Sequence, residues 1–408
     1  MGNLEDQSSL LLILPLPIYW HEGEYFCDDQ ACNGLALWLK NFDTVTLCCP
    51  MIAVDVVPGN NLPLTELCRD ERLSVVPMPS AWTFIEFFWA IVPTITKIRR
   101  LIETHRYLQF AIGGLWGDWG AVSILVASAM DRKCAVWTDS VASGFVASHA
   151  LDARFTKRFY LKAVATLMWQ YEKFVVKRSS LGLFHGMDTY SAYSPYSRAA
   201  YLVHDIHLAE SDRISPLELR EKANRPDKRI LQIIYAGRVH RDKGVMEWID
   251  TLAHAKQLGV AFEAVWYGEG PLLEEARAQT VRSGLDKMAK FPGQSEDRKQ
   301  LMQAIRQADI FLFCHKTPES PRCLVEALIS GTPIVGFKSA YPSDLIAKNK
   351  GGVLTDPSAA TLAAELHELL STPCELAKLS QQAARDAFPL IDTEVFRHRS
   401  EIIKTMTL

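Results

Sequence analysis

Short apolar runs alternate with helix-patterned stretches along nearly the whole chain, and this alternation constrains the fold more than any other feature. Strands are predicted at Leu10–Leu14, Thr44–Cys48, Ser74–Pro77, Phe110–Ile112, Ala135–Trp137, Leu181–Phe184 and Ala200–Val203. The series continues with Ile230–Tyr235, Phe262–Tyr267, Lys290–Pro292, Ile310–Cys314, Ile334–Phe337 and Gly352–Leu354. Buried strands separated by helices read as parallel sheets with right-handed crossovers. The 408 residues suffice for two domains of about 200 residues each. The stretch Glu210–Arg229 is polar, charged and carries two prolines, which marks a linker. The expected layout is an α/β chain of two Rossmann-like, doubly wound domains at 1–212 and 229–388, with a linker at 213–228 and a tail at 389–408. Such sheets bind ligands beyond the carboxyl ends of their strands.

Apolar residues make up 48% and charged residues 22% of the chain, the balance of an ordinary globular protein. The net charge of −3 gives no global signal for nucleic acid, and no recognition motif for it appears. Nine cysteines are scattered without a Cys-x-x-Cys pair, which argues for reduced thiols in a cytoplasmic setting. The early apolar stretch SSLLLILPLPI follows acids rather than a basic segment, so it reads as a buried strand, not a leader. No uninterrupted apolar run is long enough to span a bilayer.

Two stretches carry chemistry. In Tyr235-Ala-Gly-Arg-Val-His-Arg-Asp-Lys-Gly244, a strand end is followed by Arg238 and Lys243, two cations at a spacing suited to a diphosphate. Gly237 permits close backbone approach. In Glu319-Ser-Pro-Arg-Cys-Leu-Val-Glu326, two carboxylates bracket a turn that leads through a helix and Gly-Thr-Pro to a buried strand. A carboxylate accepts hydrogen bonds in pairs, which suits vicinal hydroxyls of a ribose or hexose.

This pairing resembles the family-four glycosyltransferases (glycosyl transferases group 1), over roughly residues 229–357. The resemblance implies the GT-B fold, two Rossmann-like domains facing across a cleft. It implies transfer of a hexosyl group from a nucleoside diphosphate sugar, UDP- or GDP-linked, to an acceptor hydroxyl with retention. It implies no required cofactor and no metal, Arg238 and Lys243 serving the diphosphate. Glu326 would hold the ribose and Glu319 the sugar. Backbone N–H groups of Arg322, Cys323 and Leu324, at a helix start, would face the phosphates. Gly268, in Trp-Tyr-Gly-Glu-Gly-Pro, would line the site, and the backbone around Phe291 would meet the base. Six residues separate Glu319 from Glu326, one fewer than the family's pattern has. A nucleotide-sugar-binding pseudoenzyme and a nucleotide-sugar epimerase stay open as alternatives.

The first domain departs further. The expected loop after its first strand, Tyr19–Phe26, is acidic and aromatic. Gly23 suits a backbone contact to phosphate, and Glu22 an acceptor hydroxyl. The loop Gly113-Gly-Leu-Trp-Gly-Asp-Trp-Gly120 lacks dinucleotide spacing, so Trp116 and Asp118 read as acceptor-side residues. Family members carry a His after a strand here. The matching strand end, Val136–Ser140, offers Asp139 instead, with His149 and His185 as alternatives. His315 borders the Glu319 turn. Residues 154–178 carry six net positive charges, with Phe155, Phe159, Ala163, Leu167 and Tyr171 on one helical face, and residues 81–100 are rich in Trp and Phe. A basic, aromatic surface fits peripheral contact with the inner face of an anionic membrane and a lipid-linked acceptor, with a saccharide or glycolipid acceptor also open.

Overall fold

The computed structural model describes residues 8–406 apart from 60, 70, 151–154, 225–229, 296 and 317–319. The chain forms two units, Met1–His207 with Asp392–Leu408, and Leu208–Ile391.

The first unit contains strands β1 (Ser9–Ile13), β2 (Ile18–His21), β3 (Glu24–Asp28), β4 (Thr44–Ala53), β5 (Asn61–Pro63), β6 (Leu73–Pro79), β7 (Tyr107–Ala111), β8 (Ala135–Thr138), β9 (Leu181–His185) and β10 (Ala200–Val203). They form one sheet in the order β10-β9-β8-β7-β1-β4-β2-β3-β5, with β6 also paired to β4. Its helices are α1 (Asp29–Asn41), α2 (Thr65–Cys68), α3 (Phe84–Thr104), α4 (Trp119–Ala129), α5 (Ala142–His149), α6 (Phe155–Val176) and α7 (Gly186–Tyr193). Strand β1 is apolar throughout because both its faces are covered. Leu10 and Leu12 enter a core with Trp38 and Phe396, while Leu11 and Ile13 enter another with Phe110 and Trp119.

The second unit contains α8 (Pro216–Ala223), β11 (Leu231–Ala236), α9 (Val245–Gln257), β12 (Phe262–Tyr267), α10 (Leu273–Arg282), β13 (Ala289–Gly293), α11 (Arg298–Gln307), β14 (Ile310–Phe313), α12 (Arg322–Ile329), β15 (Ile334–Phe337), α13 (Ala340–Leu345), β16 (Gly352–Thr355), α14 (Ala359–Ser371) and α15 (Pro373–Asp386). Its sheet is parallel throughout, in the order β13-β12-β11-β14-β15-β16. The order reverses between β11 and β14, so the ligand crevice of such a sheet lies beyond their carboxyl ends. The last helix, α16 (Asp392–Met406), belongs to the first unit. Its Phe396 packs edge-on to Trp38 at 5.1 Å, and its buried Arg399 donates to Asp205 at 2.8 Å.

Two expectations are corrected. Tyr19–Phe26 is not a loop. It lies in an antiparallel hairpin, with Tyr19 opposite Phe26 and His21 opposite Glu24. The two turn residues, Glu22 and Gly23, both take positive φ, 45° and 90°, as a tight hairpin of this twist requires. The expected linker is in part a helix of the second unit. Ser215 caps α8 in a reciprocal box with Glu218, and Pro216 occupies the first turn. Its Lys222 is buried and donates to Thr332 Oγ1 at 2.6 Å.

Candidate functional site

The site in the second unit is built where the sheet order reverses. β11 ends at Ala236 and hands over to Gly237 and Arg238. The Gly237 carbonyl accepts from Trp266 Nε1 at 2.9 Å. Gly268 sits so close that a Cβ there would lie 2.0 Å from the Gly237 oxygen. Turn and turn are thus packed backbone on backbone, a constraint only glycine meets. Arg238 is exposed, and its guanidinium has no partner among the described residues. Lys243 follows on a short 3₁₀ turn, Arg241–Lys243, that ends in Gly244 at φ +69°. A Cβ on Gly244 would lie 1.8 Å from the Cys314 oxygen, so this turn is pressed against the exit of β14. There His315 Nε2 lies 2.7 Å from Tyr235 Oη. Burial, and then the charge of Lys243, push the His315 imidazole down to about 3. It is neutral at physiological pH and adds no charge beside Lys243.

Helix α12 supplies Glu326. The side chain is half-buried and has no hydrogen bond or ion pair among the described residues. Burial raises its pKa, and Arg298 and Arg322 pull it part of the way back. An acid placed so, with open acceptor capacity, is ready for hydroxyl donors. Arg322 is exposed in the first turn of α12, which has no side-chain cap.

Other expected donor contacts fall differently. The Leu324 N–H donates to the Pro321 carbonyl at 3.3 Å, so it does not point to a ligand. Phe291 is a core side chain, stacked near Trp266, and its carbonyl accepts from Arg277 at 2.8 Å. Cys323 is half-buried on α12. Glu319 lies outside the described residues.

In the first unit, the loop after β7 is pinned by Asp118. Its carboxylate accepts from Gly113, Gly114 and Ala121 N–H at 3.1, 3.2 and 2.8 Å. Both oxygens are spent on the loop and on capping α4, and the side chain is buried. It shapes the loop rather than touching an acceptor, which corrects the expectation. Burial pushes its carboxyl up to about 6, against the three N–H bonds. Trp116, on the same loop, is partly exposed and sits edge-on to Phe84 at 5.0 Å. Glu22 and Gly23 stand at the hairpin tip, directly after the carboxyl end of β2. Asp139 is exposed just after β8. The pairing of Thr138 with Phe184 sets it beside His185, which ends β9. His185 is buried, and its Nδ1 accepts from Asp205 N–H at 2.9 Å. His149 is committed to its own helix, Nδ1 lying 2.8 Å from the Phe145 carbonyl.

Sequence reasoning missed Glu172. This buried acid accepts from Ser143 N–H and Oγ at 2.9 and 2.6 Å and from Tyr193 Oη at 3.0 Å. With Asp118, Thr138 and Ser140 it lines a cavity of about 10 Å³, room for one water. Its signal was visible: it is the one acid in a helix otherwise dense in Lys and Arg.

The two units carry the two Rossmann-like sheets of a GT-B fold. Residues 217–386, most of the second unit, match the family described as glycosyl transferases group 1. A 2-deoxystreptamine N-acetyl-D-glucosaminyltransferase of Niallia circulans is 24% identical over 143 residues, 34% of this chain and 36% of that protein. The match thus spans about a third of that relative. Among solved structures, Anabaena HepE in complex with UDP superposes with a TM-score of 0.67 at 16% identity, covering 98% of this chain and 100% of that one. A Rickettsia africae glycosyltransferase gives 0.66 at 14% identity over 98% and 99%. WaaG, a glycosyltransferase involved in lipopolysaccharide biosynthesis, gives 0.61 at 13% identity over 97% and 99%.

Proposed function

We propose that this chain is a retaining hexosyltransferase that uses a nucleoside diphosphate sugar, UDP-linked in the first instance, and an acceptor hydroxyl. The observation that carries the reading is the pair of groups at the switch point with no side-chain partner among the described residues, Arg238 beyond β11 and Glu326 on α12. Arg238 and Lys243 neutralise the diphosphate as it leaves, the electrostatic role a metal plays elsewhere. Glu326 takes the paired ribose hydroxyls, Arg322 adds charge at the phosphates, and Gly237 and Gly268 let the backbone come close. Glu319 is assigned to the hexose on the sequence resemblance alone. Departure of the diphosphate and attack of the acceptor occur on the same face, and the leaving phosphate takes the acceptor proton. In the first unit, Asp139 and Trp116 are the candidates for sugar and acceptor contact. The acceptor is a saccharide or lipid-linked glycan, met from the cytoplasm at the membrane. HepE structures hold UDP, UDP with glucose, and UDP-glucose, which supports starting with that donor.

The test is turnover. The protein is incubated with UDP-glucose, UDP-N-acetylglucosamine and GDP-mannose with mono- and disaccharide acceptors and glycolipids. Product anomers are read by NMR. Transfer with the donor's anomeric configuration is expected. Inversion, or isomerisation of the donor without transfer, would overturn the mechanism.

A further inference from the structure

The first unit has an apolar face that its own fold leaves uncovered. Helices α3, α4 and α6 lie on one side of the sheet, as their shared core with β1 and β7 shows. α3 follows β6 and α4 follows β7, both parallel strands, so each starts at the carboxyl end of the sheet; α6 runs into β9, and its Glu172 meets Ser143 just beyond β8, so its start also lies on that side. Strands β7, β8 and β9 have five, four and five residues, but α3 has 21 and α6 has 22. The excess lies at the helix starts. Along α3 the buried residues are Thr94, Ile98 and Ile102, all in its second half. Along α6 the buried residues begin at Ala165. The first ten residues of each hold no fully buried side chain and form the outer end of the helix; of those in α3, Phe87 and Ala90 still reach the core.

Those outer turns are aromatic. Phe84, Phe88 and Trp89 on α3 are 58%, 62% and 76% exposed, and Phe155, Phe159 and Tyr160 on α6 are 77%, 66% and 68% exposed. Exposed aromatic surface of this kind marks an interaction site. Lys157, Arg158 and Lys162 stand exposed among the α6 aromatics. The one acid of that helix, Glu172, is buried and bonded to Ser143 and Tyr193. The one acid among the outer turns of α3, Glu86, is bound in the capping box with Thr83. The charge decides the occupant. A second copy docked by two-fold symmetry would set this basic surface against itself, and a neutral protein groove would leave its cations unmet. Aromatic side chains with interspersed cations match an anionic bilayer surface.

We propose that the starts of α3 and α6 form a platform that inserts its aromatic side chains into the interface of an anionic membrane. The platform also names the acceptor class, and this half rests on the function proposed above. Phe84 and Phe87 contact Trp116 at 5.0 and 5.9 Å. The loop that carries Trp116 follows β7, beside the point where the first sheet reverses its order between β1 and β7. Membrane contact and the acceptor-side loop are thus continuous, which fits an acceptor whose lipid stays in the bilayer while its sugar reaches Trp116.

The experiment is co-sedimentation of the full chain with vesicles of phosphatidylcholine alone or with 30% phosphatidylglycerol, at low and high salt. Binding to the anionic vesicles only, weakened by salt, is expected. Each cation at an anionic surface adds about fivefold to partitioning, so Lys157→Glu with Arg158→Glu and Lys162→Glu should lower it about a hundredfold or more. Phe88→Ser with Trp89→Ser should lower it at least tenfold. Both variants should keep the wild-type melting midpoint and the UDP response, which belongs to the other unit, so failure here is distinct from failure of the donor site. Absence of vesicle binding, or equal binding to neutral vesicles, would overturn the proposal. A concentration-dependent dimer abolished by Phe88→Ser would assign the face to a second copy instead.

Discussion

Replacing Asp118 by Asn should change the pH dependence of stability in a calculable way. The carboxyl sits at about 6 in the fold against an ordinary value of 3.8. At about 1.4 kcal/mol per tenfold, this corresponds to about 3 kcal/mol between its two protonation states. Because the folded value is the higher one, the contribution is fully present below about pH 4 and is lost as pH rises through about 6. Asn is neutral at every pH and has no such loss. It keeps one acceptor oxygen but sets an amide NH₂ against N–H groups of Gly113 and Gly114 or of Ala121, at a cost of about 1–3 kcal/mol. The variant should therefore be clearly less stable than wild type at pH 4. The gap should close by about 3 kcal/mol by pH 7.5. Glu172 is also raised by burial, and its charge helps to raise Asp118, so the difference reads Asp118 together with its coupling to Glu172. Urea unfolding at half-unit pH steps measures this. Parallel curves would show that the Asp118 charge carries no such penalty in the fold, and the reasoning would fail.

Other outcomes follow from single contacts. Glu326→Ala should weaken nucleotide binding about ten- to hundredfold, as expected for lost hydrogen bonds to a charged acceptor, with an unchanged melting midpoint in the absence of ligand; calorimetric titration reads both. Gly244→Ala places a Cβ 1.8 Å from the Cys314 oxygen at φ +69°, so it should destabilise the second unit and weaken UDP binding together, read by melting with and without UDP. Arg399→Ala leaves the Asp205 carboxylate buried without its 2.8 Å partner and should cost about 3–5 kcal/mol, measured as a loss of urea stability.

The parallel strands were legible because a strand buried on both faces must be apolar throughout, and that run survives any tertiary context. The hairpin β2–β3 was not, because Glu22-Gly23 lacks the Asn-Gly or Asp-Gly signature, and its strands mix charged with aromatic residues. Helix α8 hid behind Pro216, which was read as a breaker although it stands at the first helical turn, where proline is tolerated. At the candidate site, residue type and strand-end position single out Arg238 and Lys243 in the sequence, and Glu326 is singled out by the turn and helix that lead to Gly-Thr-Pro. Asp118 was misread because a polar residue in a glycine loop looks alike whether it faces a ligand or its own backbone, and only the three N–H contacts distinguish the two. Leu324 failed for a similar reason, since the helix start turned its N–H inward.

The central claim is that Arg238 and Glu326 form a nucleotide diphosphate site. Its most direct test is thermal stabilisation by UDP, GDP, ADP and dTDP without added metal. At a hundred times the dissociation constant a bound nucleotide adds about 2.7 kcal/mol. The account predicts a clear shift with UDP that disappears in Arg238→Ala. No shift with any of the four, or a UDP shift unchanged in Arg238→Ala, would contradict it.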